Sequence, residues 1–260
     1  MLIIVPPSET KRPPPDHGRP VDLRELSFSG LTPTRTRILE ALIATSAAED
    51  AFARLQVRPS MAADVARNTL LVDLPVRPAM DVYTGPLHQG LDAGRLTGAA
   101  AERRDRSLVI VSPLWGAVRS TDHIPSYRLH VCSNLLGTGR LEPLWREVLP
   151  AVLTDAAGPV GAVVDLRSPS YQAMGIPTDL WDRTATLRVS YGRTGQRIGD
   201  VVAKRVRGEA ARQLLASNTA MPDPPAVADV LADRWPVRLE PPERPGRPWT
   251  LTLTTDVERA

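Results

Sequence analysis

With 260 residues, 42% of them hydrophobic and 23% charged, the chain can bury a sizeable core and has the make-up of a globular protein. Its formal charge of +3 permits a nucleic-acid surface without demanding one, and a single cysteine, Cys132, excludes an internal disulfide and a cysteine-rich zinc site. No apolar run approaches the ~20 residues that span a bilayer, and the amino terminus lacks the order of a signal peptide, so the expectation is a cytoplasmic protein without a membrane partner.

Leu2–Val5 is a short apolar run stopped by Pro6 and Pro7, which predicts a buried strand delivering Ser8, Glu9, Thr10 and Lys11 at its carboxyl end. Residues 12–20 are too rich in proline and glycine for regular structure. Apolar spacing predicts helices over 34–55, with Thr34 as a candidate cap, over 61–74 and over 91–104. Between the last two, 80–86 reads as a short extended run meeting a Gly-Pro break. Leu108–Ser112 reads as a second buried strand, ended by Pro113. The loop after it is dense in side chains that do chemistry: Trp115, Arg119, Asp122, His123, Tyr127 and Arg128.

Residues 128–132 read as extended, 141–155 as a helix, and 160–166 as a third buried strand leading to Asp165, Arg167, Ser168 and Tyr171. The alternation of 184–191 predicts a strand, Gly192 to Gly195 a hairpin turn, and 196–203 a returning strand. A helix over 204–217 would carry Lys204, Arg205 and Arg207 in its first turn, where cations beside free N–H groups suit a phosphate. The competing reading is that these long side chains only reach solvent. A short helix over 227–234 and a strand over 249–254 complete one mixed α/β domain, 1–260.

Three strands thus end in polar clusters, and if they neighbour one another the clusters would line a common cleft. Only two of the 32 basic residues are lysine, Lys11 and Lys204. An amine, unlike a guanidinium, can be deprotonated when desolvated and then serve as base or nucleophile. Phosphate-binding glycine loops, nucleophile elbows and zinc-protease motifs are absent. His123 and His130 lie across a proline with no acidic ligands clustered beside them, so no metal site is expected. Glu9, Asp81 and Asp122 are candidate acid–base groups. The alternative for the central loop is that Trp115 and Tyr127 are core aromatics and Arg119 and Asp122 a local ion pair.

The segments PPSETK at 6–11, DVYTG at 81–85, SPLWGAVRSTDHIPSYRL at 112–129, DLRSPSY at 165–171 and AKRVRG at 203–208 together resemble the YaaA family of peroxide-stress proteins, in family order over nearly the whole chain. The resemblance implies a mixed central sheet with flanking helices, a helix-hairpin-helix-like element, a positively charged cleft, binding of double-stranded DNA, and a part in limiting peroxide damage by keeping free iron low. The positions that match are Tyr83, Thr84, Gly85, Ser112, Gly116, Arg119, Asp122, Tyr127, Arg128, Ser168, Tyr171, Lys204, Arg207 and Gly208. Asp165 and Trp115 depart from enterobacterial relatives, which have an amide and a tyrosine there.

Two functional expectations follow. As a binding module, the protein would hold duplex DNA through phosphate contacts from Arg119, Arg128, Arg167, Lys204 and Arg207, with Ser8, Tyr83, Thr84, Ser112, Trp115, Tyr127, Ser168 and Tyr171 completing the site. As an enzyme, it would act on a nucleotide or nucleobase in the same cleft, with Lys204 or Lys11 as nucleophile or charge anchor and Asp122 or Glu9 as acid–base partner. A glycosylase or lyase is the concrete form, and a small-molecule enzyme of specialised metabolism a further one. Neither reading calls for a cofactor, and no protein partner can be inferred.

Overall fold

The computed structural model describes residues 1–192 and 199–255. Its seven-stranded sheet is built from β1 (Leu2–Val5), β2 (Leu108–Ser112), β3 (Gly116–Arg119), β4 (Val163–Asp165), β5 (Thr184–Tyr191), β6 (Val237–Glu240) and β7 (Trp249–Thr255). The spatial order is β6-β7-β5-β4-β1-β2-β3. The five inner strands run parallel, and β3 and β6 lie antiparallel at the two edges. Every residue of β1 and β2 is buried, as expected of parallel strands covered on both faces.

The three apolar runs read as buried strands are therefore neighbours, with β1 in the middle. Val5 pairs with Ile110 and Ile4 with Asp165, so the three carboxyl ends are level. The chain leaves β1 towards β2 on one side and returns to β4 on the other. That divergence opens a crevice above the carboxyl end of β1, the usual ligand position in open α/β sheets.

The flanking helices are α1 (Thr32–Ser46), α2 (Pro86–Leu91), α3 (Gly98–Ser107), α4 (Leu141–Ala157), α5 (Asp200–Ala216) and α6 (Pro224–Ala232). Helices α2 and α5 cross with their backbones in contact. A Cβ on Gly208 would sit 1.9 Å from the Leu87 carbonyl oxygen, and one on Gly90 would sit 2.3 Å from that of Arg205. Both positions therefore require glycine.

Several expected elements differ. The helix over 34–55 is two pieces, α1 and Ala51–Leu55, and it starts at Thr32 because Pro33 suits a first helical turn. Only Ala62–Asn68 of 61–74 is α-helical, and Ala79–Val82 forms one helical turn where an extended run is expected. The helix over 91–104 is interrupted at Asp92, which adopts φ 45° between α2 and α3. Residues 128–132 form no strand. The side chain of buried Asn68 instead accepts the Arg128 N–H at 2.8 Å and donates to its carbonyl at 2.7 Å. Of the hairpin turn and returning strand expected over 192–203, residues 193–198 lie outside the described residues, and the last part is helical, since α5 begins at Asp200. Lys204, Arg205 and Arg207 consequently lie beyond the first turn, which an acid occupies, as the helix dipole favours.

Gly116 turns the chain from β2 into β3 at φ 64°, pressed so close to Trp145 that a Cβ would stand 2.5 Å from the indole. The outer edge of β3 is closed by side chains. Buried Arg35 donates to the carbonyls of Trp115 (2.9 Å) and Ala117 (2.6 Å), and Asp122 accepts the Arg119 N–H at 2.9 Å. Among the described residues, no helix is long and apolar enough to cross a membrane.

Candidate functional site

The crevice above β1 is a cleft of about 390 Å³. Ser8 and Glu9 enter it from β1, Pro86 from α2, Ser168 and Tyr171 from the loop after β4, His130 from the segment after Arg128, and Lys204 and Arg207 from α5. The end of β1 is tied to the start of α2: Ser8 Oγ accepts the Gly85 N–H at 2.9 Å, and the Thr84 N–H donates to the Thr10 carbonyl at 3.1 Å. The α2–α5 crossing then brings Lys204 and Arg207 to the same opening.

Glu9 sits at the rim between two partners, Arg128 Nη2 at 2.7 Å and His130 Nε2 at 3.2 Å. His130 Nδ1 accepts the Cys132 N–H at 3.2 Å, which assigns the proton of the neutral ring to Nε2, facing the carboxylate. Lys204 pairs with Asp200 at 2.5 Å. Arg207 makes no ion pair or hydrogen bond among the described residues, its Nε is buried without an acceptor, and burial draws its pKa down. Arg128 Nε is likewise buried and unpaired.

Behind the Ser8 wall of the cleft lies Lys11. Its Nζ donates to the Ser8 carbonyl at 2.8 Å, stands 4.2 Å from the centre of the Tyr127 ring and 5.6 Å from that of Tyr83, and forms no ion pair among the described residues. Burial, reinforced by the nearby Arg128 charge, pushes the amine down to about 7. The Tyr83 and Tyr127 hydroxyls are bonded at 3.0 Å, and burial raises both phenols. Ser112 Oγ accepts the Trp115 N–H at 2.9 Å beside them. His88 donates from Nε2 to the Pro6 carbonyl at 3.0 Å, and burial lowers it to about 4, so it is a neutral ring.

Other expected site residues lie elsewhere. The β2–β3 hairpin reverses the chain, so Arg119 pairs with Val109 at the amino end of β2, away from the cleft. Its guanidinium donates to the Arg106 carbonyl at 2.5 Å and stacks 5.0 Å from the centre of Phe28. Asp122 is bound up with it locally, holding the Arg119 N–H and the Ser27 N–H and hydroxyl. Arg167 is 2% exposed and gripped by Asp165 at 2.9 and 2.8 Å, while Nη1 donates to the Gly175 carbonyl at 3.0 Å. It braces the 168–175 loop from inside. Trp115 is 0% exposed, and Ser112, Tyr83 and Tyr127 are also buried, so these four form the packed floor rather than the lining. Thr84 stays beside the mouth, its carbonyl accepting from Gln89.

Sequence reasoning missed His88, Asn68, His130 as a rim residue and the Asp200 partner of Lys204. His88 had a signal, lying one helical step beyond the DVYTG segment. Asn68 had none, because its role is to satisfy a backbone sixty residues away.

A family profile described as "Peroxide stress protein YaaA" matches residues 1–231. The chain belongs to the YaaA family. Among YaaA-family relatives, a UPF0246 protein of Streptomyces coelicolor is 40% identical over 257 residues, covering 97% of this chain and 98% of its own length. A UPF0246 protein of Corynebacterium efficiens is 37% identical over 232 residues (88% and 91%), and one of Corynebacterium glutamicum 34% over 259 residues (97% and 99%). Among the described residues, no three His, Cys, Asp or Glu side chains gather as metal ligands would.

Proposed function

We propose that this member of the YaaA family binds duplex DNA through its backbone phosphates, using the cleft above β1. One observation carries the reading. The guanidinium of Arg207 lines the cleft with its buried Nε lacking a protein acceptor, next to Lys204 and the Ser168 loop, and Arg128, whose Nη2 holds the cleft-lining Glu9, also has an unpaired buried Nε. Buried donors left without a partner are rare and costly, so one at the lining of a concave site points to an anion that completes it. Helices α2 and α5, far apart in the chain, meet at the mouth and bring their side chains to the same opening.

Binding of this kind responds steeply to salt. Three phosphate contacts give a slope of roughly −2.7 in log affinity against log salt. Arg207→Ala removes one contact, so the slope falls by about 1 and low-salt affinity by about tenfold. A gel-shift titration of a short duplex at several salt concentrations measures both. A duplex that is not retarded at low salt overturns the reading.

A second reading, an enzyme acting on a nucleotide or nucleobase in the same cleft, is favoured by Lys11. A desolvated amine one hydrogen bond behind the cleft wall has more chemistry than phosphate binding requires.

A further inference from the structure

We infer that Lys11 is a covalent amine site: its Nζ condenses with an aldehyde carried by a sugar phosphate whose phosphate is held by Arg207 and Lys204. The inference deepens the enzyme reading of the cleft and depends on the cleft being an anion site. Its basis is geometric. Nζ lies 2.8 Å from the carbonyl of Ser8, a residue that itself lines the cleft, and Lys11 keeps part of its surface exposed. No carboxylate of the described residues holds it as an ion pair, so its lone pair is not suppressed by a fixed partner. The Tyr127 and Tyr83 rings pack against the amine, and the residue bonded to it, Ser8, lines the cleft, so a guest would reach Nζ past Ser8. Lys204 and Arg207, with its unpaired Nε, line the same cleft from α5 and give the anionic end of the guest a place to rest. An amine with only a structural role would be served as well by arginine, which donates more hydrogen bonds and stacks better on aromatic faces; this arginine-rich chain has lysine here.

The step balances without a further reactant. The neutral Nζ lone pair attacks the aldehyde carbon, the carbonyl π pair moves to oxygen, and that oxygen takes up a proton. The nitrogen loses its two protons as the oxygen departs, so one water is released for each C=N bond formed. Burial supports the step by keeping a large fraction of the amine neutral near pH 7.

The guest chemistry has two sources, an abasic position within duplex DNA and a free sugar phosphate, and trapping with cyanoborohydride separates them. The whole protein is incubated at neutral pH with either an abasic duplex or deoxyribose 5-phosphate, reduced, digested, and the modified peptide mapped by mass. The result expected is an adduct on Lys11 in at least one arm. Its rate should exceed that of an ordinary lysine by roughly a hundredfold or more, because an unperturbed amine is neutral in well under a hundredth of molecules at pH 7. The arm that labels identifies the source. The labelling rate of the wild-type protein should also level off just above pH 7, a readout that does not depend on any variant folding. Absence of an adduct on Lys11 in both arms, labelling of Lys204 in preference to Lys11, or a rate still climbing at pH 9 overturns the inference. Retardation of an unmodified duplex is scored separately, so failure of the DNA reading and failure of this one are told apart.

Discussion

Burying an amine without a carboxylate opposes folding, and Lys11 makes that cost depend on pH. Its pKa is about 7 in the folded chain and near 10.4 once unfolded, so between these values the unfolded state binds more protons and stability rises with pH. Below about 7 the full penalty is present. His88 acts in a lower window: with a folded pKa of about 4 against roughly 6.5 unfolded, it costs stability as pH falls through that range. Urea unfolding of the wild-type protein and of Lys11→Met should therefore diverge, the wild type gaining on the variant from pH 7 to pH 9. Parallel curves would show that the amine is not desolvated. At this scale the sequence was half legible. The scarcity of lysine singled out Lys11, but polarity alone could not show that Arg167 is locked inside by Asp165 while Arg207 is left without a partner. Both are arginines in loop or helix-start contexts, and only packing separates them.

Between elements, the decisive contact is the crossing of α2 and α5. It carries Arg207 and Lys204 to a cleft whose other walls come from β1 and the loop after β4. Gly208→Ala places a methyl group 1.9 Å from the Leu87 oxygen, where backbone rather than a side chain would have to move. The expected loss is about 3 kcal/mol, at the upper end of overpacking costs. Gly30→Ala, whose new Cβ meets nothing within 4 Å, should change stability little. Thermal or urea unfolding compares the two, and equal effects would mean that α5 can slide without cost. The buried strands were legible because continuous apolar runs stopped by proline leave few other solutions. The start of α5 was not. Asp200, which complements the dipole and pairs with Lys204, fell inside the strand expected over 196–203, since Val201 and Val202 favour strands when taken alone.

For the whole molecule, adjacency of β4, β1 and β2 is what turns three separated polar clusters into one site, and strand order of this kind is set by long-range packing that no local pattern records. The same topology explains which expectations left the site: an antiparallel hairpin returns Arg119 and Asp122 to the far end of the sheet. The β3 margin itself has a consequence for how molecules meet. Carbonyls that would greet an incoming strand are already taken by the Arg35 guanidinium, and the adjoining Arg119 N–H by Asp122. Arg35→Leu would strip that guard and should turn a soluble preparation into one that binds thioflavin on standing, while a preparation that stays clear would refute the role. With its guard in place, the sheet stops at β3 by its own side chains, and neighbouring copies find no ladder there to lengthen.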